Sequence, residues 1–172
     1  MKKLICLMLV LMMGLSLVAC GGKSEGDNGG NNGGNNGGNN VPTNLNLAEI
    51  YTTITSGVDM PEMMKLDSDM LLDLYGIRPE YYTQAEMYLC VNSLRADEIW
   101  LLEAKDGEAM KTLKEKMNAR LDQKDAESIT YDPEQNAIVK AAQIIEVGKY
   151  LVMIVSPDAT TIAGNFRTAA GI

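Results

Sequence analysis

The sequence predicts an α+β domain, with an antiparallel sheet of about four strands in two hairpins, packed by helices and preceded by two short N-terminal helices. Three observations predict it. Periodic segments follow the order helix, helix, hairpin, long helix, hairpin, helix. The connections within each strand pair are short, so no parallel crossover is needed. The later strands are brief apolar runs bounded by turn residues.

Asn46 followed by Glu49 forms an Asn-x-x-Glu start, and Leu47, Ile50, Ile54 and Val58 recur behind it at helical spacing. Gly57, Asp59 and Pro61 end this first helix. A second is expected over Asp67 to Tyr75, with Met70, Leu71 and Leu74 on one side, Gly76 as its stop and Ile77 closing the apolar face. After the Arg78-Pro79-Glu80 turn, Glu86 to Val91 and Ile99 to Ala104 read as strands, joined as a hairpin by Asn92 to Asp97. Asp106-Gly107-Glu108 then opens the clearest helix of the chain. Met110, Leu113, Met117 and Leu121 fall on one of its faces, and Lys111, Lys114, Glu115 and Lys116 on others. Tyr131-Asp132-Pro133-Glu134 breaks that pattern. Gln143 to Val147 and Tyr150 to Val155 flank a Gly148-Lys149 turn, and the second of these strands, apolar on both faces, is expected inside the sheet. Ser156-Pro157 reads as an N-cap with proline at the first helical position, starting a last helix through Ile162, Ala163 and Phe166.

The N-terminus has a different composition. Lys2 and Lys3 precede an apolar run from Leu4 to Ala19, the charged and hydrophobic regions of an export signal, and the run is short of the roughly 20 residues that span a bilayer. Leu17-Val18-Ala19-Cys20 at its end resembles the bacterial lipobox, in which the cysteine thiol receives a diacylglyceryl group and the chain is cut before it. The organisation expected is thus a signal peptide over residues 1–19, a lipidated Cys20 with a Gly/Asn-rich linker over 20–45, and one folded domain over 46–172. In that reading Leu17 and Ala19 form the cleavage recognition site, and the acylated Cys20 partners membrane lipid. The linker has almost no apolar side chain to bury, and a Gly-rich chain of that length reaches about 25–30 Å. Of the three cysteines, Cys6 leaves with the leader and Cys20 carries lipid, so Cys90 is the one free thiol and no intramolecular disulfide forms.

The lipobox and polar linker are followed by Leu74-Tyr75-Gly76-Ile77, Ala96-Asp97-Glu98-Ile99, Tyr131-Asp132-Pro133-Glu134, Val147-Gly148-Lys149-Tyr150 and Ser156-Pro157-Asp158-Ala159. Together these resemble a family of small lipoproteins of clostridia and related Firmicutes, catalogued as a domain of unknown function. The resemblance implies a lipid-anchored protein on the extracytoplasmic face of a Gram-positive envelope, and it carries over no catalytic residue.

The chain has 15 basic and 23 acidic side chains, and loss of Lys2 and Lys3 with the leader leaves 13 against 23, a balance that repels nucleic acid. With no histidine, the commonest general base and metal ligand is missing. Asp67, Asp69 and Asp73 form the densest carboxylate group, but Asp67, Ser68 and Asp69 sit where capping and the helix dipole favour them, and no Ca²⁺ loop pattern is present. Asp97-Glu98 beside Arg95 reads as a charged hairpin, because adjacent strand residues point to opposite faces and cannot share one proton-transfer task. Cys90 lacks a neighbouring base in the sequence and reads as a small buried hydrophobe. Ser93, Ser128 and Ser156 have no nucleophile motif, and pairing with Lys105, Lys140 or Lys149 is not visible in sequence. Tyr81, Tyr82 and Trp100, with Tyr88 nearby, are the candidate ligand platform. The expectation is a binding module without catalytic residue, metal or cofactor, whose partner is an envelope protein or cell-wall component. The alternatives are a small-ligand accessory of a transporter or a histidine-free hydrolase.

Overall fold

Local capping sets the frame. In the computed structural model, which describes residues 42–128 and 132–172, Asn46 accepts from the backbone N–H groups of Ala48 (3.2 Å) and Glu49 (3.3 Å) and starts α1 (Leu47–Thr55). The leader, Cys20 with Leu17 and Ala19, the linker to residue 41, and Tyr131 lie outside the described residues. Asp67 accepts from Met70 N–H (2.9 Å) and caps α2 (Ser68–Tyr75). Gly76 then closes that helix at φ 62°, a left-handed conformation that glycine adopts without steric cost. Ile77, next in the chain, is fully buried, as the pattern predicts. Met70 and Leu74 are not: of the three apolar residues expected on one side of α2, only Leu71 is buried, while Met70 and Leu74 face solvent.

The sheet has five antiparallel strands in the order β1-β2-β3-β5-β4, one more than expected. They are β1 (Met63–Lys65), β2 (Tyr82–Cys90), β3 (Glu98–Ala104), β4 (Gln143–Val147) and β5 (Tyr150–Val155). Both predicted hairpins are present, and they join through β3 and β5, paired from Glu98–Val155 to Glu103–Tyr150. The added strand, β1, pairs Met63 to Cys90 at the outer edge. β2 starts at Tyr82, four residues before the expected Glu86, after a turn of 3₁₀ helix over Pro79–Tyr81, and a register shift follows between Tyr82 and Gln84. β3 and β5 are buried along their whole length, which fits two inner strands covered on both faces.

Alternation along β3 divides the core in two. Trp100, Leu102 and Ala104 join Leu71 of α2, Leu113 and Met117 of α3 (Gly107–Ser128) and Val139 of α4 (Pro133–Lys140). Ile99 and Leu101 join Leu47, Ile50 and Ile54 of α1 and Ile162, Ala163 and Phe166 of α5 (Ala159–Ala170). Helices therefore cover both faces. α4 corrects the reading of Asp132-Pro133 as a simple break: Asp132 accepts from Glu134 N–H (3.1 Å) and Gln135 N–H (3.0 Å), and Pro133 occupies the first turn. The reverse holds for Ser156-Pro157. Ser156 Oγ accepts from Asp158 N–H (3.1 Å) within a turn, and α5 begins only at Ala159.

The entry to the domain is fastened to the sheet. Leu45 N–H donates to the hydroxyl of the buried Tyr150 (2.9 Å), while the Gln84 side chain donates to Leu45 C=O (2.8 Å) and accepts from Leu47 N–H (3.1 Å).

Candidate functional site

Glu98 opens β3 on the same face as Trp100 and is fully buried. The charged hairpin expected at Asp97-Glu98 is present, but both of its carboxylates are buried. A carboxylate taken out of water needs charged partners, and α3 supplies two. Arg120 donates to Glu98 through Nε (3.1 and 3.2 Å) and Nη2 (2.9 Å), Lys124 Nζ lies 2.9 Å from Oε2, and Trp100 Nε1 donates to Oε1 (2.6 Å). Arg120 and Lys124 are four residues apart on the stripe that begins with Leu113 and Met117, so one helix face changes from apolar to cationic as it passes the start of β3. Tyr75 closes the group, its ring 4.9 Å from Trp100 and 5.5 Å below the Arg120 guanidinium carbon. Burial, reinforced by the Glu98 charge, pushes the Tyr75 phenol well up. Burial opposes the Arg120 charge, but its bonds to Glu98 more than offset this and hold the guanidinium above its ordinary range.

Two cations thus share one buried carboxylate, and Glu127, one turn further along α3, adds a second negative charge near Arg120. Lys124 also lines a cavity of about 280 Å³ between the β2–β3 turn, the C-terminal half of α3 and α4. Leu94, Ala96 and Val139 give this cavity an apolar wall, and Arg95, Lys124, Glu127, Asp132 and Gln135 a polar one of mixed charge. The turn is docked by Gln135 Oε1, which accepts from Ala96 N–H (2.7 Å). Asp97, beside it, is also buried: Oδ2 accepts from Arg95 Nε (2.9 Å), and Oδ1 has no hydrogen-bond partner among the described residues.

The structure does not bring Tyr81, Tyr82 and Trp100 together as an exposed platform. Trp100 is fully buried and spends its indole N–H on Glu98, while Tyr81 and Tyr82 are half-buried against the core. Tyr88 stacks on Tyr51 (3.5 Å, 8°) and donates to Glu86 (2.8 Å), which also accepts from Lys65 (2.7 Å). Cys90 is half-buried at the end of β2, more open than the buried position expected of it. Asp67 is occupied as a cap, and among the described residues no cluster of three potential metal ligands occurs. Ser128 Oγ donates to Lys124 C=O (2.7 Å) and accepts from Asn136 Nδ2 (3.1 Å), so it serves the helix end. Lys140 faces Asp125 (3.8 Å) and Lys149 faces Glu103, so neither pairs with a serine. Arg120, Lys124 and Gln135 were outside the sequence-derived candidates. Their signal was the continuation of the α3 apolar stripe into cations and the Asp-Pro start before Gln135.

Glu103, at the other end of β3, points to the opposite face and accepts from Gln84 and Lys149. Burial alone would raise its pKa, but the Lys149 and Gln84 bonds more than offset this, so the carboxyl titrates below its ordinary 4.5. With the folded value under the unfolded one, its contribution to stability is complete above about pH 4.5 and is lost as pH falls through the folded value. Urea midpoints of wild type and Glu103→Gln should therefore differ near pH 6 and converge as pH falls through the folded value. A constant gap would contradict the assignment.

The fold and site define a small α+β domain in which an antiparallel sheet lies between two helical layers and a charged cavity opens beside one of them. The chain belongs to the family of the domain of unknown function DUF4358, whose model matches residues 56–156. The match spans all five strands, the Glu98–Arg120–Lys124 group and the cavity lining, while α1 and α5 lie outside it. No curated protein and no solved structure matches the chain.

Proposed function

We propose that the protein is a lipoprotein anchored on the extracytoplasmic face of a Gram-positive envelope, and that its folded head is a non-enzymatic binding module. The observation that carries this reading is Leu17-Val18-Ala19-Cys20 directly after a basic and apolar leader. Two acyl chains on one cysteine hold a protein stably, since each buried CH₂ contributes about 0.8 kcal/mol and a single chain anchors only reversibly. The Gly/Asn segment then serves as the spacer between bilayer and domain. An envelope protein or wall component is one class of partner. The open cavity beside Lys124 favours a second reading, a small-ligand accessory protein of a transporter.

Labelling growing cells with an alkyne analogue of palmitate tests the anchor. Wild type should take up label and partition with membranes, and Cys20→Ala should lose the label. Equal labelling of Cys20→Ala, or unlabelled wild type in the cytosol, would overturn the reading.

A further inference from the structure

We infer that the outer edge of β4 docks a second copy of this chain, the two β4 strands pairing antiparallel about a two-fold axis at Ile145.

β4 ends the sheet, with β5 on one side and no strand on the other. Val147 and Tyr150 pair across the two-residue Gly148-Lys149 turn, so the backbone groups of Gln143, Ile145 and Val147 point at β5. Those of Ile144 and Glu146 point out of the sheet. Lys149 C=O, which accepts from Ala104 N–H (2.7 Å), shows the same alternation from the β3 side. Among the described residues nothing bonds the outward N–H and C=O groups of Ile144 and Glu146.

The two edges of the sheet differ in kind. β1 is three residues long, follows Pro61 and ends in Lys65, features that discourage a further strand. β4 has five residues with neither proline nor lysine, and its Ile144 is 38 % exposed. Gln143-Ile144-Ile145-Glu146-Val147 is therefore an open edge of strong β-propensity. Its one charged side chain, Glu146, is paired with Lys114 of α3, so a second strand meets no bare carboxylate there.

An identical strand satisfies this edge. Ile145 is the midpoint of β4, and a two-fold axis there overlaps the whole strand with its copy. Ile144 of one protomer then exchanges both backbone bonds with Glu146 of its partner, and the reverse, so each outward group is matched. Ile145 meets its own copy in a non-hydrogen-bonded pair, on the face it shares with Val152 and α5. Neighbouring axes are worse. One at Ile144 brings in Ala142, whose N–H is already given to Val139 C=O (3.1 Å), and one at Glu146 sets like charges opposite each other and runs into the turn. The chain as a whole carries a formal charge of −8, so the two copies repel at long range and salt screens that repulsion.

Sedimentation velocity of the full chain in a mild non-ionic detergent tests the pairing. Wild type should shift from monomer toward dimer as its concentration rises, and more so in high salt. Ile144→Pro removes an outward N–H and leaves the β4–β5 ladder intact, so it should weaken dimerisation at least about 10-fold while unfolding remains cooperative. A second measurement reads the register. In a Cys90→Ser background, Ile145→Cys should link two chains under mild oxidant, because a non-hydrogen-bonded pair holds its Cα atoms about 4.5 Å apart, within disulfide reach. Met64→Cys, comparably open but at the opposite edge, sets the rate of chance collision, and Ile145→Cys should exceed it at least about 10-fold. Cys6 and Cys20 are common to both variants. A chain that stays monomeric, and so leaves the edge to a foreign strand, would overturn the inference. So would an Ile144→Pro variant that associates like wild type, or Ile145→Cys linking no faster than Met64→Cys.

Discussion

Glu98→Gln should lower the stability of the domain by about 3–5 kcal/mol, the usual cost of removing one partner from a buried ionic group. The amide keeps the shape of the carboxylate but not its charge, so Arg120 and Lys124, with side chains 15 % and 10 % exposed, would face each other across a neutral group. Urea denaturation of the two proteins measures the difference. Lys124→Gln provides the contrast, because it leaves Glu98 paired with Arg120 in a neutral group and should cost far less. Equal midpoints for Glu98→Gln and wild type would mean that the group is not held as described.

Phe166→Ala should cost a similar amount, about 3–5 kcal/mol, for a different reason. Phe166 is the only phenylalanine, fully buried on α5 among Ile99, Leu101, Val152 and Ile154 of the sheet. Its removal forfeits apolar burial and leaves a cavity that neighbouring side chains fill only in part. The variant also asks whether the layer of α1 and α5, outside the family match at 56–156, is integral to the fold. If thermal and urea midpoints hardly move, that layer is dispensable.

What could be read in advance was local. Asn46, Asp67 and Gly76 announce helix ends because a short polar side chain or a missing Cβ acts within a few residues, and the continuous apolar run of β5 announces an inner strand. β1 escaped because three residues carry no pattern of their own and are ordered by pairing with β2. Asp132-Pro133 is ambiguous in sequence, because a proline both ends a preceding helix and suits the first turn of the next. The site was less legible than the fold. Arg95-Ala96-Asp97-Glu98 has the composition of a solvated turn, and Glu98 meets its partners only 22 and 26 positions later, on a helix whose exposed faces are rich in lysine. The aromatic residues misled for a related reason: Trp100 lies on a strand covered from both sides, so its polar edge is used internally.

The fastening at Leu45 bears on mechanics. A pull on the segment ahead of the domain would reach Tyr150 of β5 and Gln84 of β2 before it could unwind α1, because Leu45 is bonded to both and Leu47 to Gln84. Tension would be divided between two strands that each lie second from an edge of the sheet, so the domain would yield from this end only when that clasp opens.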